Sequence, residues 1–319
     1  MWKILIFLCL IYVNYASDTP VIGILSQEMY IVAKYFPGEH YESFIAASYV
    51  KFLESAGAKV VPVWIGQSDE YYQRVVNYTN GILFPGGGTY FNETGGYGQS
   101  AKTIYHLAMK NNDRNIYYPL WGICMGFQVL IFAQKGIDLR TDCSLKKVAL
   151  PLDFTEGYES SDLFSKAPRE ILRILGTKNV TYNQHQYCLT EEVLNNNGVL
   201  TDWNILSTNR DASNVEFIST MENRKYPFYG VQYHPEKNIF EFKDGVGIPH
   251  TIEAVQVSQF FANFFVNKCR KNNNTFPDEQ TEMNSLIYNY NPVYTAPRKS
   301  SYQQIYVFTK DDYEKSPLV

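Results

Sequence analysis

The stretch PLWGICMGFQVL (residues 119–130) places Cys124 between Gly122 and Gly126. A thiol attacks as its thiolate. An ordinary cysteine, with a pKa of about 8.5, needs a helix N-terminus or an adjacent imidazolium to reach that form near neutral pH. The pattern G-x-C-x-G, preceded by an apolar run and followed by Gln128-Val-Leu-Ile-Phe132, is the thiol counterpart of the strand–turn–helix nucleophile elbow. On such a turn the N–H of Met125 points where the thiol points and forms half of an oxyanion hole. The other half is expected at Gly86 and Gly87 of Pro85-Gly-Gly-Gly88, where side-chain-free N–H groups follow another apolar run, GILF. That turn lacks the Lys-Ser/Thr ending of a phosphate loop, so nucleotide binding is not expected. A base is also required. Of His40, His106, His185, His234 and His250, His234 stands out, because Glu236 follows two residues later with Pro235 between them, at the end of a hydrophobic strand. Pro235 is expected to hold this segment extended, so that the two side chains share one side and Glu236 orients the imidazole toward the thiol. Each motif alone also fits a core cysteine, a plain tight turn or a surface loop. Their conjunction predicts Cys124, His234 and Glu236 as nucleophile, base and orienter. That chemistry needs neither a metal nor a cofactor.

These groups must be brought together by the elements around them. Val21–Leu25, Val60–Val63, Ile82–Phe84 and Tyr117–Trp121 read as short buried strands. Between them, Ile45, Tyr49, Phe52, Leu53 and Ala56 recur at helical spacing up to Gly57, and Asp69–Val76 and Ala101–Met109 also read as helices. Strands alternating with helices predict a three-layer α/β fold with a mostly parallel central sheet. In such a sheet the strand C-termini share one edge, where ligands bind. The region 139–225 adds shorter β-like runs such as EFISTM (216–221), and PFYGVQYHPEK (227–237) is a strand running into His234. Val257, Phe260, Phe261, Phe264 and Phe265 mark a helix ending near Cys269. The polar tail holds one strand-like piece, QQIYVF (303–308), and reads as an extension wrapped on the same body.

With 319 residues, 45% hydrophobic, the chain has ample material for a core, and its formal charge of −4 gives no basic face for nucleic acid. Residues 1–17 read as a secretory signal: Lys3, an apolar Ile4–Val13 too short for a comfortable membrane span, then Ala16 and Ser17 for cleavage. No membrane segment is expected after its removal. Sequons at Asn77, Asn92, Asn179 and Asn273 agree with that route. Beyond the signal only Cys124, Cys143, Cys188 and Cys269 remain, so at most one disulfide is compatible with a free Cys124, and the spacing does not choose among the other three.

WGICMGFQ and YGVQYHPEK resemble the Cys and His-x-Glu motifs of class I glutamine amidotransferase domains, which implies a flavodoxin-like sandwich. PVIGILSQE, FIAASYVKFLESAGAKVVPV, NGILFPGGG and IYNYNPVYT narrow the resemblance to the gamma-glutamyl hydrolases and extend it from the signal to the tail. The resemblance implies a single domain over 18–270 with the extension 271–319, a Cys–His–Glu triad at Cys124, His234 and Glu236, and a substrate-handling histidine at His185. It also implies folate poly-gamma-glutamate as a small-molecule substrate, a homodimer, and a lysosomal or extracellular destination. Gln128 follows the wider amidotransferase pattern, where Glu is expected in some gamma-glutamyl hydrolases, and is expected to contact substrate. The chemistry supports this direction. A glutamine side-chain amide becomes a gamma-glutamyl peptide link when another glutamate replaces ammonia, so one thioester mechanism serves both. A secreted glutaminase or an inactive binding protein are the alternatives. The first would be cut off from biosynthesis, and the second would be expected to lack part of the triad.

Overall fold

The computed structural model describes residues 18–319. The expected signal segment, 1–17, lies outside the described residues. The chain opens with β1 (Val21–Leu25), β2 (Ser43–Ala46), α1 (Ala47–Glu54), β3 (Lys59–Val63) and α2 (Asp69–Tyr78). Then come β4 (Ile82–Phe84), α3 (Tyr97–Asp113), β5 (Leu120–Ile123) and α4 (Met125–Lys135). The middle holds β6 (Thr141–Leu150), β7 (Asp153–Phe154), α5 (Arg169–Thr177), β8 (Thr181–Cys188), α6 (Glu191–Asn196), β9 (Trp203–Arg210) and β10 (Glu216–Asn223). It closes with β11 (Phe228–Val231), α7 (Lys237–Phe240) and α8 (Ile252–Cys269), and the tail adds β12 (Val293–Tyr294) and β13 (Gln304–Phe308).

The main sheet has the order β3-β1-β4-β5-β11-β10-β9-β7. Its first five strands run parallel, and β10, β9 and β7 continue it antiparallel. Parallel strands are buried on both faces, which is why β1, β4, β5 and β11 are apolar throughout rather than alternating. Helices α2, α3 and α4 pack on one another as one outer layer, while α1, α5, α7 and α8 form the other. Trp121 of β5 shows how the second layer is held: its ring lies 5.7–6.1 Å from Phe261, Phe264 and Phe265 of α8. The three-layer sandwich expected from strand–helix alternation is therefore what forms.

Two local readings change. Ile45, counted in the helical spacing, belongs instead to β2, because Ser43–Ala46 forms a ladder with Phe308–Ile305 of β13. Periodicity within a segment carries no information about a partner over 250 residues away. The strand expected at Tyr117–Trp121 begins only at Leu120, after Pro119, and runs to Ile123. The tail packs on the same body: beyond β13, Trp64 of the main core stacks on Tyr313 at 4.9 Å and meets Phe308 edge-on at 4.5 Å. Among the described residues no helix is long and apolar enough to cross a membrane.

Candidate active site

β4, β5 and β11 are neighbours, and each delivers one part of the site from its C-terminal end: Gly86 and Gly87, Cys124, and His234. Cys124 is the N-cap of α4, with φ 55° and ψ −112°. A non-glycine residue in that region stores roughly 1–3 kcal/mol of strain. Three hydrogen bonds hold it there. Its N–H donates to the Val231 carbonyl at 2.7 Å, and its carbonyl accepts from Phe127 and Gln128 at 3.0 and 3.2 Å. The flanking glycines are required by close approach, since a Cβ on Gly126 would sit 1.8 Å from the Phe84 carbonyl oxygen and one on Gly122 2.4 Å from that of Gly126. Cys124 is a strained elbow residue as the G-x-C-x-G pattern predicts. Met125 follows as the first residue of α4, where the backbone N–H has no partner within the helix.

His234 lies just beyond β11, its N–H bonded to the Tyr182 carbonyl at 2.8 Å. Its Nδ1 is 2.8 Å from Glu236 Oε1, and both side chains are buried. The route to that contact differs from the expected one. Glu236 has helical dihedrals (φ −66°, ψ −26°) and the Lys237 N–H bonds back to the His234 carbonyl at 3.3 Å, so the segment is a turn into α7 and not an extended strand. Proline fixes its own φ, but the ψ of Pro235 and the residue after it remain free to turn. Because a carboxylate oxygen only accepts, Nδ1 carries the proton and Nε2 is left for the thiol. Burial opposes charge on this imidazole, yet Glu236 and, after it, the Cys124 sulfur outweigh burial and push His234 up to about 9. The Gly86 α-carbon marks where His234 and Cys124 meet: a Cβ there would lie 2.8 Å from His234 Cε1 and 3.0 Å from Cys124 Cβ.

Cys124 opens onto a cavity of about 450 Å³ that Met125, Gly87, Gln128, His185 and Arg140 also line. A larger cavity, about 660 Å³, lies at the other end of β11 beside Pro227 and Tyr229 and contains none of these groups. The glycine turn divides its labour. Gly87 faces the smaller cavity, whereas the Gly86 N–H donates to Tyr49 Oη at 2.9 Å and is not available as an oxyanion donor. Tyr49 Oη is also 3.4 Å from His234 Nδ1, so it ties the turn to the base. Sequence periodicity marks Tyr49 only as core.

His185 reaches the cavity from β8. Burial, with His234 adding to it, lowers its pKa to about 4, so it stands neutral at physiological pH. Asn183 Nδ2 donates to the Thr181 carbonyl, which turns Asn183 Oδ1 toward His185 Nε2 at 3.2 Å and puts the ring proton on Nε2. The Cys143–Cys188 disulfide joins β6 to β8 beside this ring. Cys269, free and buried in the core, has its thiol pushed well up by burial. Gln128 lines the cavity, but its Nε2 is committed to the protein, donating to the Tyr187 carbonyl at 2.8 Å and to Gln232 Oε1 at 3.0 Å. Gln232 in turn places Nε2 3.6 Å from Cys124 Sγ. It was legible in principle, two residues before His234 in the same motif. Arg140 was not: its guanidinium lies 3.8 Å over the Phe91 ring and bonds to Asp138, contacts that no local pattern announces. Asn77, Asn92, Asn179 and Asn273 are all exposed. Among the described residues no group of three metal-ligating side chains converges.

The peptidase C26 family model matches residues 20–236, a span that begins at β1 and ends on Glu236. The chain belongs to the peptidase C26 family. As a C26 member it is a cysteine peptidase, and its relatives resemble it well beyond the family span. Gamma-glutamyl hydrolase of Homo sapiens is 43% identical over 293 residues, covering 92% of this chain and 90% of that one. Gamma-glutamyl hydrolase of Mus musculus is 42% identical over 297 residues, covering 92% and 91%. Gamma-glutamyl hydrolase B of Dictyostelium discoideum is 35% identical and covers 98% of this chain and 92% of its own. The resemblance to these relatives, unlike the family span, thus includes the tail that β13 sews to β2.

Proposed function

We propose that this C26 peptidase hydrolyses gamma-glutamyl peptide bonds, with folate poly-gamma-glutamates as substrates, through a Cys124–His234–Glu236 triad. The observation that carries the reading is the convergence of the strained Cys124 with a histidine whose Nδ1 is held 2.8 Å from Glu236. The thiol proton resides on His234 Nε2, and the Cys124 sulfur attacks the gamma carbonyl. The N–H groups of Met125 and Gly87 receive the oxyanion, and each such donor is worth on the order of 3 kcal/mol in comparable hydrolases. Collapse of the adduct breaks the C–N bond as imidazolium gives its proton to the departing amine. A gamma-glutamyl thioester remains. Water, deprotonated by the now neutral His234, attacks it, and the thiolate leaves. Arg140, among the described residues the only lysine or arginine lining the cavity, is the cation best placed for the carboxylates of a glutamyl chain. His185, neutral, serves as a hydrogen-bonding wall.

The apolar start at residues 4–13 and the exposed sequon asparagines support passage through the secretory route. A direct test is to incubate the purified chain with gamma-linked and alpha-linked pteroyl-glutamate isomers and identify the products. The alpha carbonyl is displaced along the glutamyl skeleton, and misplacement of about 1 Å can cost on the order of a hundredfold. Gamma-linked chains should be cut and alpha-linked ones survive. Equal cleavage of both, or ammonia release from glutamine as the main activity, would overturn the reading.

A further inference from the structure

The carboxamides beside the nucleophile form a directed relay. Which end of a glutamine amide faces which neighbour is ordinarily ambiguous, but here one partner removes the ambiguity. The Tyr187 carbonyl can only accept, so the Gln128 group 2.8 Å from it is its NH2. The second N–H of that same nitrogen points to Gln232, 3.0 Å away, which must therefore present Oε1 to it. Gln232 is then left with Nε2 facing Cys124 Sγ at 3.6 Å. Both amides are buried, Gln232 completely, and the Gln232 backbone N–H is anchored on the Ser219 carbonyl at 2.9 Å. The donor end is thus aimed at the sulfur by a bond that starts on β8, in the wall of the cavity.

We propose that Gln232 is a second partner of the nucleophile, its side-chain N–H donating to the Cys124 sulfur and stabilising the thiolate, with Gln128 as the positioning residue that keeps the donor end turned toward it. The inference rests on Cys124 being the nucleophile. Gln232 gives up no proton: the thiol proton goes to His234, and the amide supplies only a hydrogen bond from the other side. That bond is strongest when the sulfur bears charge, before attack and again when the thiolate departs from the tetrahedral adduct of the thioester. It weakens while the sulfur is acylated. Among the described residues His234, Tyr49, Tyr97 and Tyr302 interact with the sulfur, and Asp138, Arg140 and His185 line the same cavity; burial pushes the three phenols up, which keeps them neutral.

The test is alkylation of Cys124 by iodoacetamide between pH 4 and 10, without substrate, followed at the Cys124 peptide by mass spectrometry. Gln232→Met keeps the length and removes the donor. Its alkylation midpoint should move up by about one pH unit relative to the unsubstituted chain, the size expected for losing a hydrogen bond to a charged group. Gln232→Glu, which presents a carboxylate to the sulfur, should move it further. Gln128→Met, which frees the Gln232 amide to turn, should give a smaller shift of the same sign. An unmoved midpoint in a folded Gln232→Met chain overturns the proposal. Should that variant not fold, the unsubstituted chain decides: the Gln232 side-chain amide resonances must titrate with the alkylation midpoint, and constancy overturns the proposal equally. Failure of the underlying reading looks different, since it would appear as gamma-glutamyl turnover by Cys124→Ala.

Discussion

Replacing Glu236 by Gln separates charge from geometry at the base. The amide oxygen can still accept from His234 Nδ1, now 2.8 Å from Glu236 Oε1, so the ring keeps its orientation while the negative charge disappears. His234 is pushed from 6.5 to about 9 against its own burial, and Glu236 is the largest of the influences that raise it. A difference of that size corresponds to about 3 kcal/mol favouring imidazolium. Without the carboxylate, burial is opposed chiefly by the sulfur, and the base should titrate near or below pH 6.5. The leaving amine needs the imidazolium proton, so kcat/KM should fall above about pH 9 in the unsubstituted chain and already above about 6.5 in Glu236→Gln. At pH 7.5 the protonated fraction drops from nearly all to about a tenth, a tenfold loss from protonation alone. The assay is kcat/KM on a gamma-glutamyl peptide from pH 5 to 10, with urea unfolding over the same range. Because the folded value of His234 lies above its unfolded one, its contribution to stability is complete below pH 6.5 and is lost as pH rises through about 9. Glu236→Gln should lack that alkaline loss. A variant whose limb stays near pH 9 would refute the electrostatic argument, whatever its overall rate.

Cys124→Ala should retain the fold and lose turnover by more than tenfold, since a small side chain replaces a small buried one at the elbow; activity assays paired with circular dichroism decide. Cys143→Ala with Cys188→Ala opens a disulfide spanning 45 residues, which should cost up to about 4 kcal/mol by loop entropy, read as a lower urea midpoint. His185 has a folded value of about 4 against 6.5 unfolded, so the unfolded chain binds the proton first and stability should fall as pH drops from 6.5 to 4. His185→Gln should remove about 2.4 kcal/mol of that acid sensitivity, measured by urea unfolding at pH 7 and 4.5. Trp64→Ala should cost about 3–5 kcal/mol and expose the segment after β13 to proteases, because Phe308 and Tyr313 pack on that ring.

The proposed triad was legible because its members carry local signatures: glycines on both sides of Cys124 where backbone approaches backbone, and a carboxylate two residues after His234. Apolar runs buried on both faces likewise give away β1, β4, β5 and β11, and with them the parallel sheet. What the sequence left open are pairings between distant segments. Ser43–Ala46 becomes a strand only because residues 305–308 return to it. Cys143 and Cys188 are chosen over Cys269 because β6 and β8 lie side by side while Cys269 is sealed in the core. Gly86 gives its N–H to Tyr49, a residue on another element, and the Gln128 amide nitrogen is taken up by Tyr187 and Gln232. Even the His234–Glu236 contact comes from a turn closed by Lys237 and not from an extended chain. Local sequence determines backbone conformation and burial through sterics and periodicity. Which polar atom satisfies which is decided only when the folded chain brings them within about 3 Å, because a hydrogen bond depends on final positions that no local pattern encodes.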